Sequence, residues 1–456
     1  MARRAAVAKA KSRDVALPIG FFKTIHHFAP EFFSAMAAVP DPRDPTRITY
    51  PIANVILIGL LLFVLKAGAR RNLKKKFNTQ PFIANIQTIG QVLFPGAVFP
   101  DTLIHGDTLN KLLKRIDETV FHRLRVLLVF VLIRRRCLEK WRILGCYCIA
   151  IDGTGVIVYH KRHCDHCMTR KVKGEMIFYH PVLEAKLVCP GLGLALSIAT
   201  EFIENPEKIK NKKKQKQDCE LKAFHRLIPK LRKDFPQMAI VLLLDAIYAN
   251  ERVFQLCDDY KLRYLITFKK GSMPATWVEY EALKKHSPKQ ESSQTKAGLT
   301  QISRWINEID YQGRKLNALE LAELKTKSGK QKFFCAWLTN WIVTKDNVEA
   351  LAFAGRNRWL IESGFNVQKN GGYRLEHAFS THNTAQKNFY LLLQMGHNID
   401  QLAEKGSLLQ EAVRQIAGGL RNFSERLWAL MTETLIDVKK FRAFLNQRIQ
   451  IRLAPG

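Results

Sequence analysis

Apolar and polar residues alternate with two different periods along this chain, and the changes of period mark its organisation. From about residue 20 to 142 the apolar positions recur at helical spacing, over Ile52–Leu65, Phe82–Leu93 and Leu109–Leu132. Short apolar runs of the kind that form buried strands then take over, at Cys146–Tyr159, Phe178–Val188 and Leu192–Phe202. A helix over Cys219–Leu231, a strand at Ala239–Leu244, a helix from Asn250 and a strand at Tyr264–Phe268 follow. Residues 271–345 break this rhythm, with Ser, Lys and Gln dominating 285–299 and strand-like pieces only at Thr300–Ile306 and Phe333–Thr339. Helical spacing returns over Asn347–Lys369, Thr384–Glu404 and Leu409–Arg452, and no segment repeats internally.

Three strands in succession followed by alternating helix and strand predict an α/β fold with a mixed sheet, the order of a ribonuclease H-like core. The segments are a basic tail at 1–14, expected to be disordered, and a helical N-terminal DNA-binding domain at 15–142. The core falls in two parts, 143–270 and 346–404, separated by a β-rich insertion at 271–345. A C-terminal helical region occupies 405–456. The apolar stretch Ile52–Leu65 is short of the roughly 20 residues that cross a bilayer, so it predicts a buried helix and no membrane partner. No apolar signal core follows the basic start, and nine unevenly spaced cysteines do not suggest a disulfide scaffold. A reducing, cytoplasmic setting is expected.

Charge changes the picture more than composition does. The chain has 456 residues, 47% of them hydrophobic, enough for a sizeable core. Its 72 Lys and Arg against 40 Asp and Glu leave a formal charge of +32. Such an excess attracts a polyanion at long range, and nucleic acid is the commonest one. The helical N-terminal region concentrates it at Arg70-Arg71, Lys74-Lys75-Lys76 and Arg134-Arg135-Arg136.

Against that basic background three acids stand in distinctive contexts. Asp152 lies in Ile149-Ala-Ile-Asp-Gly-Thr-Gly155, Asp245 ends Val241-Leu-Leu-Leu-Asp-Ala246, and Glu362 ends Arg358-Trp-Leu-Ile-Glu362. The first two close apolar runs, where a carboxylate is costly unless a cation or partner compensates it. Converging carboxylates suit hard divalent cations. Arg358, Glu362, Phe365 or Asn366, and Lys369 fall on one helical face. They are either a surface ion-pair ladder or a metal-binding acid flanked by two phosphate-gripping cations.

Arg358, three residues, Glu362, six residues and Lys369 resemble the Arg-Glu-Lys part of the Tyr-Arg-Glu-Lys signature of bacterial insertion-sequence DDE transposases. Asp152-Gly-Thr-Gly155 resembles that family's first acid motif and Asp245-Ala-Ile-Tyr-Ala249 its second. Phe333-Phe-Cys-Ala-Trp-Leu-Thr-Asn340 looks like the strand that closes its β insertion. The resemblance spans roughly residues 40–400. It departs at the signature tyrosine, where this chain has Gly355, with Tyr373 and Tyr390 as neighbouring stand-ins. It implies a cut-and-paste transposase in which Asp152, Asp245 and Glu362 hold two Mg²⁺ ions, replaceable by Mn²⁺. Arg358 and Lys369 would grip DNA, joined by Arg70, Arg71, Lys74, Lys75 and Lys76. The implied partner is double-stranded DNA at the element's terminal inverted repeats, bound by a homo-oligomer such as a dimer in the nucleoid. Two other readings share the fold: a domesticated DNA-binding protein without transposition, and a ribonuclease H-like nuclease without strand transfer.

His160-Lys-Arg-His-Cys-Asp-His-Cys167 packs three histidines and a Cys-x-x-Cys pair into eight residues. Cys164 and Cys167 have zinc-ligand spacing, and His160, His163 or His166 could complete a Zn²⁺ set. The alternative is a basic hairpin loop beside DNA, since no second Cys pair follows.

Overall fold

A computed structural model describes residues 17–159, 161–162, 164–205, 217–415 and 419–455. The basic tail, nearly all of the lysine-rich stretch expected as a loop (Asn205–Lys216), and His160 and His163 lie outside the described residues. Six helices come first: α1 (residues 17–28), α2 (Glu31–Ala37), α3 (Ile52–Val64), α4 (Gln80–Leu93), α5 (Gly106–Arg115) and α6 (Glu118–Arg134). All 13 residues of α3 are buried, as an apolar surface all round requires. No helix among the described residues is long and apolar enough to cross a membrane. The single helix expected over Leu109–Leu132 is two, because Ile116 is extended and the Asp117 carboxylate caps α6 by accepting from the Thr119 amide at 2.8 Å.

The sheet begins with β1 (Tyr147–Tyr159), β2 (Met168–Val172), β3 (Glu175–Cys189) and β4 (Leu194–Phe202). Helix α7 (Glu220–Asp234) leads to β5 (Ile240–Leu244), and α8 (Glu251–Asp259) to β6 (Arg263–Phe268). Next come α9 (Pro274–His286), β7 (Glu291–Lys296), β8 (Leu299–Tyr311), β9 (Arg314–Lys325) and β10 (Gln331–Thr339). The strands form one mixed ten-stranded sheet in the order β2-β3-β1-β5-β6-β10-β9-β8-β7. Strand β3 is long enough to pair β2 along its first part and β4 along its second. Strand β3 runs antiparallel to both β1 and β4, whereas β1, β5 and β6 run parallel.

The segment between β6 and β10 carries more structure than its composition suggests. Strands β7 and β9 and helix α9 are not legible in the apolar pattern. In β9 two buried acids interrupt it: Glu320 is paired with Lys284 at 2.9 Å and accepts from the Tyr280 hydroxyl at 2.9 Å, and Glu323 is paired with Arg356. These strands extend the sheet through β10, which pairs with β6.

The helical spacing over Asn347–Lys369 also conceals a break. Helix α10 (Val348–Arg356) stops where the backbone amide and side-chain amide of Asn357 both turn back to the Phe353 carbonyl. Helix α11 (Trp359–Asn370) then starts after Arg358. Helices α12 (Asn383–Lys405), α13 (Gln410–Gln415), α14 (Leu420–Glu433) and α15 (Val438–Asn446) close the chain, so the long final helical stretch is three short helices. The N-terminal helices, the sheet and the C-terminal helices share one continuous apolar cluster. Helix α12 packs on α3, α5 and α6 and also on β4. There its side-chain amides satisfy the open edge of that strand: Asn398 bonds the Ser197 amide and carbonyl at 2.8 and 2.9 Å, and Gln401 those of Ala195 at the same distances. An edge strand covered in this way cannot template pairing with another chain.

Candidate functional site

Strand parity sets Asp152 and Asp245 on one face of the sheet. Side chains alternate between the two faces of a strand, so Asp152 shares a face with Cys148 and Ala150, and Asp245 with Val241 and Leu243. Those four residues pack in one cluster with Leu351, Ile361 and Phe365 of α10 and α11. Both aspartates therefore point to the side of the sheet where α11 carries Glu362 in its first turn. The parallel register pairs Ala150 with Leu243, and extending it by two residues sets Asp152 level with Asp245. Paired strands lie about 4.8 Å apart.

Arg358, at the start of α11, stands between the acids. Its guanidinium is 2.6 Å from Glu362 Oε1 and 3.6 Å from Asp152 Oδ2. Burial pushes the Asp152 carboxyl up to about 6; Arg358 pulls it back, Glu362 and Glu220 add to the rise, and the Gly153 amide, donating at 2.9 Å, lowers it. An ion pair beside a raised carboxyl looks contradictory, but the 3.6 Å separation is too long to offset the desolvation and two neighbouring negative charges. Asp245 belongs to the same field: it and Asp152 both act on the buried Tyr248 hydroxyl, and it and Arg358 both act on Cys335. Side chains of Asp152, Arg358 and Glu362 remain 23%, 13% and 29% exposed, so a ligand can reach them.

An acid beside Asp152 and a buried lysine on the same sheet face as Asp152 have no sequence signal. Glu220 opens α7 on the far side of β1; its Oε1 accepts from the Tyr248 hydroxyl at 2.7 Å, and a Cβ on Gly153 would lie 2.7 Å from its Oε2. An acid in a helix's first turn is ordinary, and only the packing shows that this one adds negative charge beside Asp152. Lys186, fully buried on the acid face of β3, has no hydrogen-bond partner among the described residues and lies 4.4 Å over the Phe365 ring. Burial depresses it to about 8.

Lys369 is not part of the acid cluster. It sits at the last turn of α11 and pairs with Glu376 at 3.0 Å. Tyr373 and Tyr390 are fully buried, donating to Asp400 at 2.5 Å and to Glu184 at 2.8 Å, so neither stands in for a tyrosine at position 355. Position 355 has no room for one: a Cβ there would lie 2.6 Å from Trp337 Cε2. Gly355→Ala should therefore cost about 1–3 kcal/mol of stability through overpacking. Thermal denaturation of the variant checks it, and an unchanged melting temperature would show that Trp337 yields freely.

The basic clusters divide. Lys74, Lys75 and Lys76 are exposed on one turn while Leu73 and Phe77 anchor that turn in the core, and Arg71 is also exposed. Arg70 is partly occupied, 3.4 Å from Asp107 and over the Phe379 ring. Arg134, Arg135 and Arg136 engage Glu31, the His27 carbonyl and Glu139, which makes that cluster a tie between helices.

Cys164 and Cys167 come together with Sγ atoms 3.2 Å apart, and the third group is His180, a β3 residue that the local spacing did not single out. Its Nε2 is 3.4 Å from Cys164 Sγ and 3.5 Å from Cys167 Sγ. His166, one of the expected ligands, turns its Nδ1 to the Asn205 carbonyl at 3.2 Å.

No known protein-family profile matches the chain, and no curated protein matches it.

Proposed function

We propose that the chain is a DDE transposase that cleaves and joins double-stranded DNA at the ends of its own element. The observation that carries this reading is the placement of Asp152 and Asp245 on one sheet face, with Glu362 tied to Asp152 through Arg358, an all-oxygen donor set in which burial pushes the Asp152 carboxyl up to about 6. Such oxygens fit Mg²⁺ or Mn²⁺. Two such ions, when bound, would lower the pKa of an attacking water or 3′-hydroxyl and neutralise the leaving oxygen. The strand order β4-β3-β1-β5-β6, antiparallel then parallel, supports a ribonuclease H-like core. The β7–β10 segment lies between the second and third acids, where the resembled family carries its insertion.

Each residue then has a task. Asp152, Asp245 and Glu362 hold the cations, and the sheet and α11 fix their spacing. Arg358 supplies part of the missing positive charge while the acids are bare and can grip a phosphate with two parallel N–H groups. Lys369, two turns along α11, meets the DNA strand farther from the reacting bond. Glu220, held by Tyr248, strengthens the local demand for cations.

The test is a duplex bearing the inverted repeats that bracket this reading frame, incubated with Mg²⁺ or Mn²⁺. End-specific nicking and strand joining that stop on chelation are expected. Equal cutting of unrelated duplexes without joining would favour a ribonuclease H-like nuclease, and tight binding without cutting a domesticated DNA-binding protein.

DNA affinity should fall steeply with salt, log K dropping by roughly 0.9 per phosphate contacted for each unit of log salt. Replacing Lys74, Lys75 and Lys76 by Ala should flatten that slope by up to about 3. Fluorescence anisotropy at several salt concentrations measures it; a salt-independent affinity would rule out backbone binding, and an unaltered slope would remove these lysines from the interface.

A further inference from the structure

Outside the acid site, one cluster has the chemistry and geometry of a second metal centre. We infer that Cys164, Cys167 and His180 form a structural zinc site that fastens the turn after β1 to β3. Tetrahedral Zn²⁺ with Zn–S near 2.3 Å and Zn–N near 2.05 Å sets its ligands about 3.8 Å apart for S–S and about 3.6 Å for S–N. The observed separations are 3.2, 3.4 and 3.5 Å, so the donors need to part by only a few tenths of an ångström. Two soft thiolates and an imidazole select zinc over the hard cations suited to the acid site. Binding releases both thiol protons to solvent, leaving two thiolates, a neutral imidazole and a solvent molecule in the fourth tetrahedral position around a doubly charged ion, a centre without net charge.

A supporting shell is already built. Buried Asn205 donates from its side chain to the Cys167 carbonyl at 2.9 Å and from its backbone to the His166 carbonyl at 3.2 Å, and its own carbonyl meets His166 Nδ1. Its side-chain oxygen accepts from the Asp218 amide at 3.4 Å, two residues before Glu220. The centre thus links the turn after β1, the exit of β4 and the approach to α7. His180 pairs with Ile157, five residues beyond Asp152, or about 17 Å along the strand at roughly 3.4 Å per residue, so this centre is separate from the acids.

Purified full-length protein should contain about one zinc per chain, and the apo protein should take up Co²⁺ with the thiolate charge-transfer and intense visible bands of a tetrahedral site. Cys164→Ser, Cys167→Ser and His180→Ala should each lose the zinc and those bands. His180→Cys should restore them, which a packing role for the imidazole would not. Asn205→Ala should weaken zinc affinity by about 10–100-fold. Asp152→Asn and Glu362→Gln should leave zinc content unchanged. Because ligand variants can misfold, wild-type reconstitution decides independently. Folded apo protein that takes up neither Zn²⁺ nor Co²⁺, an octahedral cobalt spectrum, or a Cys164–Cys167 disulfide in protein kept reduced would each overturn the site.

Discussion

Asp152→Asn should make the metal-free protein more stable at neutral pH while abolishing the proposed DNA cleavage. The Asp152 carboxyl is raised from 3.8 to about 6 by burial and by Glu362 and Glu220. At about 1.36 kcal/mol per pKa unit, keeping it ionised costs the fold on the order of 1–3 kcal/mol. That cost is absent below about pH 4, where the carboxyl is protonated both folded and unfolded. It grows as pH rises towards 6 and is constant above. Wild-type stability from this group therefore declines across that window, and an amide removes the decline. Added Mg²⁺ should raise the wild-type melting temperature well above pH 6 and little at about pH 5, and it should do less for the variant. Loss of a metal ligand removes several kcal/mol of transition-state stabilisation, on the order of a thousandfold in cleavage rate. Thermal melts across pH with and without Mg²⁺, paired with single-turnover cleavage, measure both. A variant less stable than wild type at neutral pH, or one that cuts at the wild-type rate, would refute the assignment.

Arg358→Ala should have the opposite electrostatic sign. It removes the guanidinium that lowers Asp152, so the Asp152 carboxyl should rise further and the pH needed for Mg²⁺ stabilisation should move upward. If Arg358 also positions the scissile phosphate, cleavage should drop by about a hundredfold, the scale of a 1 Å misplacement. Arg358→Lys separates the two effects: it restores the charge and the pH profile but not the two-pronged grip, so the rate should stay low. An exposed helical ion-pair ladder is worth a few tenths of a kcal/mol and nothing in activity. Wild-type cleavage in Arg358→Ala would leave only that ladder and would weaken the transposase proposal at its most specific motif.

Elements legible in the sequence are those whose signal is local. The apolar run of α3, the strands β1, β4 and β5, and the helical spacing of α12 each report their own burial through a period of 3.6 or 2. Asp152 and Asp245 stand out for the same reason, as a charge abruptly ending an apolar run. Breaks within a continuous period are not local in that sense. The α5–α6 and α10–α11 junctions preserve helical spacing across a break in the helix, and only the caps at Asp117 and Asn357 reveal them. In β9, buried Glu320 and Glu323 read as solvent-facing until Lys284, Arg304 and Arg356 are brought from other elements to neutralise them.

By itself, then, the sequence determined the helices and strands with an unbroken apolar period, the excess of positive charge, and which acids interrupt apolar runs, because each depends on neighbours within a few residues. Only the tertiary structure decided what those residues meet. The parallel register of β1 on β5 levels Asp152 with Asp245, and α11 brings Arg358 between Asp152 and Glu362. The pairing of β3 carries His180 to a cysteine pair 13 to 16 residues earlier, and the packing of α10 on β10 turns position 355 into one that admits glycine alone. Such meetings depend on strand register and helix direction across the whole core, and nothing in the local composition of either partner encodes them.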